Sequence, residues 1–164
     1  MYTYDVTASD MFTDRTHQFE KFGIPLDDIN RVAEATTDMW ANAPGGWVYE
    51  WSRLAEEYAE RGDHYLASMV YGCAKFPCLT DDARARALRN QLEQFELASK
   101  DFPVSFERRI LAVPYRDGTV EVAVHLYSAD GDYAGRPCSS PAAAWTPGRW
   151  TSIPGGSGSP RARG

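Results

Sequence analysis

The sequence predicts an α+β fragment with about five N-terminal helices, one antiparallel β-hairpin and a disordered tail. The hairpin is predicted because two apolar-rich runs within residues 104–126 flank the stretch Arg116-Asp117-Gly118-Thr119. Asp-Gly between alternating segments is a strong hairpin signal, and we expect Gly118 to adopt a positive φ. The helices are predicted because apolar residues recur at helical spacing before the hairpin. The tail, residues 138–164, is predicted to be disordered because it is rich in Gly and Pro without periodicity.

The second run of the hairpin alternates between two kinds of side chain. One face would carry Val120, Val122, Val124 and Leu126, and the other Glu121, Ala123 and His125. A two-stranded sheet alone is marginally stable in water. We therefore expect this hairpin to need a larger sheet or a helical layer beside it.

The first two helices have recognisable start and stop signals. We expect Ser9 or Asp10 to cap the first helix, which continues to about Phe22 and ends at Gly23. Asp27 is expected to cap the second helix. The apolar stripe of the second helix contains Ile29, Val32, Ala33, Thr36, Met39 and Trp40.

Three further helices precede the hairpin. The third is expected over residues 47–61, with Gly62 ending it and Asp63 capping the fourth. Thr80 or Asp81 is expected to cap the fifth. The apolar faces of these helices contain Trp47, Trp51, Leu54, Ala55, Tyr58, Leu66, Ala67, Met69, Val70, Cys73, Ala74, Leu88, Leu92 and Phe95.

Composition excludes several classes of protein. The chain has 164 residues, a formal charge of −6 and 43% hydrophobic residues, which is enough for one domain with a core. The acidic balance argues against nucleic acid and anionic membranes as partners. No apolar run is long enough for a transmembrane helix, and no secretory signal is present. The three cysteines match no metal-site spacing, so we expect free thiols and a cytoplasmic protein.

The third and fourth helices resemble one tetratricopeptide repeat. The residues at matching spacing are Trp51, Leu54, Ala55, Tyr58, Gly62, Ala67, Tyr71, Ala74 and Pro77. This pattern predicts a helical hairpin with small residues where the two helices cross. Stable repeat arrays need about three units, and the flanking helices do not repeat the pattern. Two interpretations remain: part of a helical cap, or a small helical module that binds a partner peptide.

A wider resemblance covers about residues 10–137. The stretches WVYEWSRLAEEYAERGDHYLASMVYGCAKF (residues 47–76) and FERRILAVPYRDGTVEVAVHLYSADGDYAGRP (residues 106–137) resemble the FrsA-like branch of the α/β-hydrolases. The resemblance implies a helical cap in residues 1–102 and the first hairpin of the hydrolase sheet in residues 103–137. It also implies Ser-dependent hydrolysis of an ester or activated C–C bond by the parent protein, with a small-molecule substrate and no cofactor. A homodimer is compatible with it.

The tail departs from that resemblance, because an apolar strand and a glycine-rich loop should follow Pro137. Reading the codons one base earlier from Cys138 gives apolar residues followed by codons that suit glycine. The junctions Trp145–Thr146 and Trp150–Thr151 both force Asp in that frame. We therefore interpret the tail as a hydrolase sequence read in the wrong frame; the alternative is a native low-complexity tail.

No residue of this chain is assigned to catalysis, to a cofactor or to a metal. Acyl transfer on a hydrolase fold needs a Ser nucleophile, an acid and a His, which follow the third strand in that order. We interpret His17 and His64 as solvated helix residues. His125 shares a strand face with Glu121 and is expected to belong to a cross-strand polar pair.

Acidic pairs and aromatic residues also have structural explanations. Asp27-Asp28 and Asp81-Asp82 suit helix capping and the helix dipole better than metal binding. Most of the aromatic cluster is expected in the core, with a minority facing a pocket under the cap. The cluster consists of Trp40, Trp47, Tyr49, Trp51, Tyr58, Tyr65 and Tyr71.

Overall fold

The structure, a computed structural model, describes residues 5–131 of the chain. In this part five α-helices and one 3-10 turn precede a two-stranded antiparallel sheet, which confirms the predicted α+β class. The elements are α1 (Ala8–Lys21), α2 (Leu26–Ala35), α3 (Trp47–Glu60), α4 (His64–Ala74), α5 (Asp82–Ala98), a 3-10 turn (Ser99–Asp101), β1 (Ser105–Tyr115) and β2 (Gly118–Ser128). The predicted disordered tail lies outside the described residues.

The starts of α1 and α2 differ from the prediction. Thr7, rather than Ser9 or Asp10, is the N-cap of α1, and Asp10 is its partner in a capping box. The Thr7 hydroxyl accepts from the Asp10 backbone N–H, and the Asp10 carboxylate accepts from the Thr7 N–H, so two free donors are satisfied together. In α2 the N-cap is Pro25, and Asp27 lies inside the first turn, where its negative charge interacts favourably with the helix dipole.

The predicted apolar stripe of the second helix extends too far. The backbone becomes extended at Thr36 (φ −91°, ψ 115°), so α2 ends at Ala35, and Met39 and Trp40 lie in the chain that leads to α3.

The predicted glycine stops and the remaining helix caps are confirmed. Gly23 and Gly62 adopt φ of +89° and +83° directly after the C-caps of α1 and α3, a conformation that favours glycine. Asp63 caps α4 by accepting from the Leu66 N–H at 3.1 Å. Asp81 caps α5 by accepting from the Arg84 N–H at 2.9 Å. The helix α4 packs against both α3 and α5, so α3 and α4 form a helical hairpin to which α5 adds a third helix.

Four aromatic rings form the centre of the helical core. The Phe12 and Trp47 ring centroids are 4.8 Å apart, and the Phe19 and Trp51 rings meet edge to face at 5.0 Å. Trp47 and Trp51 are fully buried. The Trp47 indole N–H donates to the Cys73 carbonyl oxygen at 2.9 Å, so α3 also satisfies a backbone acceptor near the end of α4.

The chain between α2 and α3 is a tight loop held by backbone contacts. The Asp38 carboxylate accepts from the N–H groups of Trp40 and Ala41, and the Asp38 carbonyl accepts from the Trp47 N–H at 2.9 Å. A Cβ atom at Gly46 would lie 2.0 Å from the Ala41 carbonyl oxygen. The loop therefore requires glycine at this position to bring α3 into place.

The hairpin pairs β1 with β2 in a single register, from Ser105 opposite Ser128 to Tyr115 opposite Gly118. Our prediction that Gly118 has a positive φ is wrong. The pairing continues through Gly118, so the two turn residues are Arg116 and Asp117, one position earlier than expected. Arg116 takes the positive φ, +51°, and its guanidinium lies 5.2 Å from the centroid of the Tyr115 ring.

We expect Gly46→Ala to lower the free energy of unfolding by about 3 kcal/mol, because the new methyl group would collide with backbone rather than with a movable side chain. Urea unfolding followed by circular dichroism at 222 nm would measure this. Gly118→Ala is the matched control, since a Cβ there meets nothing within 4 Å. Equal losses in the two variants would contradict the prediction.

Candidate functional site

One face of the hairpin is apolar and open to solvent. Two opposed pairs, Leu111 with Val122 and Val113 with Val120, form its centre. These four side chains are between 38% and 43% exposed. Soluble proteins rarely leave contiguous apolar surface open unless another part of a protein covers it. This face, extended by Tyr115 near the turn, is the candidate interaction surface of the described residues and is called the open face below.

The opposite face of the hairpin joins the helices through a few rings. Phe106 on β1 and His125 on β2 both pack on Phe95 of α5, with centroid distances of 5.5 and 5.9 Å. The Phe102 ring completes this group, 5.4 Å from Phe95. An ion pair at 3.6 Å between Arg108 and Glu96 adds to the same joint. The helices therefore hold the base of the hairpin, whereas its outer part extends away from them.

The most buried charged side chain in the described region is Arg84, at the start of α5. It is fully buried, and its guanidinium makes an ion pair of 2.6 Å with Asp81. It also donates to the carbonyl oxygens of Phe76 and Met39. Its guanidinium carbon lies 5.0 Å from the centroid of the Trp40 ring. One side chain thus ties α5 to the α4–α5 connection and to the loop before α3. Helical spacing gave no signal for a buried charge here.

A second charged cluster joins α2 to α3. Arg31 binds both oxygens of Glu57, at 2.9 and 2.8 Å, and also contacts Asp28 at 2.9 Å. The Tyr58 hydroxyl donates to Asp28. Partial burial raises the pKa of Asp28, but the hydrogen bonds from Tyr58 and Arg31 outweigh it, so the pKa of this carboxyl lies below its ordinary value. Burial, together with the bond to Asp28, raises the pKa of Tyr58.

The three histidines lie apart from one another in the fold. The His17 ring is 3.1 Å from the Glu20 carboxylate on the exposed side of α1. His64 is half-buried, and its Nδ1 lies 2.7 Å from the Gln94 side-chain oxygen on α5. His125 stands opposite Arg108 and stacks on Phe95. The sequence interpretation of His64 as solvated is therefore incomplete, because it links α4 to α5.

The acidic pairs serve the helices in which they lie. Asp28 belongs to the α2–α3 cluster, and Asp81 caps α5 and pairs with Arg84. Within residues 5–131 no group of three or more His, Cys, Asp or Glu side chains is arranged to hold a metal ion. None of the helices in the same range has the length and apolarity needed to cross a membrane.

The aromatic cluster divides between the core and the surface. Trp47, Trp51, Tyr58 and Tyr71 are buried, whereas Tyr49 and Tyr65 are 41% and 50% exposed. The two exposed rings stand at different places: Tyr49 borders a groove between α3 and α5, and Tyr65 lies beside Phe102 at 6.3 Å. That a minority of these rings faces a pocket under the cap stays a prediction.

The chain is similar to proteins named Esterase FrsA. It is 28% identical over 124 residues to Esterase FrsA of Citrobacter koseri, which covers 66% of this chain and 29% of the relative. The same identity is found over 125 residues with Esterase FrsA of Salmonella newport and of Salmonella agona, covering 67% of this chain and 30% of each relative. No protein-family model matches the chain.

These matches indicate an FrsA-like esterase relationship over about two thirds of the chain. They agree with the resemblance read from the sequence, and they support a hydrolase-like ancestry. The chain spans about three tenths of the length of the curated relatives it matches.

We expect Arg84→Met to lower the free energy of unfolding by about 3 kcal/mol, because it strands the buried Asp81 carboxylate and two carbonyl oxygens. Urea unfolding would measure the loss. Arg86→Met is the control, because Arg86 lies two residues further along α5 and is exposed. It removes the same charge and should lower the free energy of unfolding by less than about 0.5 kcal/mol. A loss below 1 kcal/mol for Arg84→Met would show that this arginine does not organise the fold.

A pH effect should follow from Asp28. Its folded-state pKa is lowered, so its carboxylate stabilises the fold above about pH 4, and this contribution is lost as the pH falls through the lowered value. Asp28→Asn should therefore be about 1.5 kcal/mol less stable than the parent at pH 7, because it weakens hydrogen bonds to a charged group. At about pH 3 the difference in the free energy of unfolding between Asp28→Asn and the parent should be smaller.

Urea unfolding of both proteins at the two pH values would test this. Asp27→Asn is the control, because Asp27 is exposed in the same helical turn. An Asp28→Asn deficit that stays constant between the two pH values would contradict the assignment.

Proposed function

We propose that this chain is the helical cap and first β-hairpin of an FrsA-like α/β-hydrolase, with residues 1–102 as the cap and residues 103–137 as the hairpin. The observation that carries the proposal is the open face of a sheet that has only two strands within residues 5–131. In a hydrolase that face would pack beneath further strands and helices. The similarity to Esterase FrsA, which covers about two thirds of the chain, supports the proposal.

The parent activity in this proposal is the Ser-dependent hydrolysis of an ester or an activated C–C bond. The reaction needs no cofactor, because a Ser–His–acid triad and an oxyanion hole supply the nucleophile, the proton transfer and the charge stabilisation. In the hydrolase order all three triad residues follow the third strand. This chain offers no such set, so the 164-residue polypeptide is proposed to be inactive alone. The substrate of the parent would be a small ester-like molecule.

The proposal includes a change of reading frame after Pro137. The shifted frame forces two Asp residues, and with GC-rich codon usage it gives an apolar run and a glycine-rich stretch before them. A strand followed by a glycine loop is what the fold needs at this point, since a backbone N–H in that loop contributes to the oxyanion hole. The two forced acids, and the apolar codons that result where Ser139 and Ser140 use TCN codons, favour this reading over a native low-complexity tail.

The proposed location is the cytoplasm. Cys73 and Cys78 carry free thiols, and burial raises the pKa of the Cys73 thiol and so keeps it protonated. The formal charge of −6 gives no reason to include a nucleic acid among the partners.

The coding DNA gives the most direct test. Read one base earlier from the codon of Cys138, it should remain open and reach a codon run for G-x-S-x-G after a strand-like segment. Sequencing the gene on both strands, with its downstream region, would measure this. If no such run follows in any nearby frame, the truncated-hydrolase proposal fails.

The purified 164-residue protein should hydrolyse a p-nitrophenyl ester no faster than a buffer blank. The corrected frame, expressed as a longer protein, should show turnover that a serine-directed phosphonate abolishes. Phosphonate-sensitive turnover by the short chain would contradict the proposed loss of the catalytic residues. A corrected, folded long protein without such turnover would contradict the proposed parent activity.

A further inference from the structure

A groove between α3 and α5 is separate from the open face of the hairpin. It has a volume of about 220 Å³. Its floor contains Val48 and Ala87, both buried, and its rim carries polar side chains that include Tyr49, Arg53 and Arg86. The proposed hydrolase function uses none of these side chains. The groove therefore needs its own explanation.

The dimensions of the groove suit an extended peptide. The lining residues run from Val48 to Glu56 on α3 and from Ala83 to Asn90 on α5, about two helical turns on each wall. At 1.5 Å per residue each wall is about 10 Å long, the length of about three residues of extended chain. Small side chains on the floor leave room for a backbone, and aliphatic floor atoms favour an apolar side chain beside it.

Polar groups on the rim match the needs of a peptide backbone. Asn42, Ser52 and Asn90 line the groove, and each can both donate and accept a hydrogen bond. The Asn90 side chain also bonds the Tyr71 hydroxyl, which fixes its position and leaves further amide capacity. A bound strand could therefore satisfy its own N–H and C=O groups without water.

The charges on the rim select an acidic ligand. Arg53 is held by an ion pair of 3.2 Å to Glu50, whose other oxygen accepts from the Gly45 N–H. Arg86 is exposed, and within residues 5–131 no ion pair to it is found. A guanidinium binds a carboxylate through two parallel hydrogen bonds, a geometry that a lysine cannot match. Among the described residues that line the groove Glu56 is the one acid, and no ion pair joins it to Arg86.

We propose that the α3–α5 groove binds a short extended peptide with an acidic side chain, whose carboxylate is held by Arg86. This inference does not depend on the hydrolase proposal, because it uses only helices that are complete within the described residues. It gives a specific site to the peptide-binding interpretation of the helical hairpin.

The probe for the test is a library of acetylated and amidated pentapeptides with three randomised central positions, presented to the full 164-residue chain. Selected sequences should contain Asp or Glu, and the best peptide should then be made with a fluorescent label for anisotropy titration. Arg86→Gln should weaken its binding about tenfold or more, because a charge-assisted hydrogen bond is lost. Replacing the acidic residue of the peptide by its amide should have the same effect.

Arg89→Gln is the matched control, since Arg89 is exposed on the same helix but does not line the groove. It should leave the affinity within about twofold. If Arg86 binds the acidic side chain of the peptide, the Arg86→Gln variant should bind the amide peptide no more weakly than either single change alone. Circular dichroism should show the same helical content for both variants.

Four results would overturn the proposal. The first is the absence of any selected peptide, and the second is a preference for basic or neutral peptides. The third is equal weakening by Arg86→Gln and Arg89→Gln, which would indicate attraction by net charge alone. Self-association of the chain that Arg86→Gln abolishes would make a second copy the occupant and would also overturn it.

Discussion

The buried guanidinium of Arg84 is the interaction on which the helical part depends. An isolated charge in the interior of a protein is strongly unfavourable, so it persists only where every donor has a partner. Here a carboxylate, two backbone carbonyls and the face of an indole ring surround it. These partners come from two segments, the α2–α3 loop and the α4–α5 connection, and both must be in place before the charge is satisfied. The arrangement gives this part of the fold a single geometry.

The helices and the hairpin obey different physical constraints. The helical part buries two tryptophans and two phenylalanines in one core. The hairpin has regular backbone pairing along its full length but leaves one apolar face to solvent. The helices thus have a core of their own, whereas the hairpin presents an apolar surface that needs a partner layer. This contrast is why the hydrolase proposal rests on the hairpin and the peptide proposal on the helices.

Sequence reasoning predicted most of the elements because their signals are local. Gly23 and Gly62 mark helix ends through their backbone freedom, and Asp63 and Asp81 mark helix starts through their side-chain reach. It failed where residues close together in the sequence compete for one role. Thr7 displaced Ser9 and Asp10 as a cap, because only the reciprocal Thr–Asp pair satisfies two donors. The hairpin turn moved by one residue because strand register, rather than the Asp-Gly pair, decided where pairing ends.

The burial of Arg84 and the exposure of Arg86 could not be predicted from a local sequence pattern. The two arginines are separated by one residue on the same helix, yet one is buried and the other exposed. Arg84 differs because it donates to the carbonyls of Phe76 and Met39, and Met39 is 45 residues away in the sequence. Likewise, the groove exists only because α3 and α5 lie side by side. The sequence identified the helices, but not which of their polar residues would face each other.

The narrow joint between the hairpin and α5 has a consequence for how the molecule loses structure. A handful of rings around Phe95 carries that attachment, whereas the helical core has its own dense packing. Backbone amides of the outer strands can therefore open to solvent by a local excursion that leaves the helices intact. In hydrogen–deuterium exchange the amides of β1 and β2 would therefore exchange long before those of α3. An unfolding curve would show two transitions rather than one.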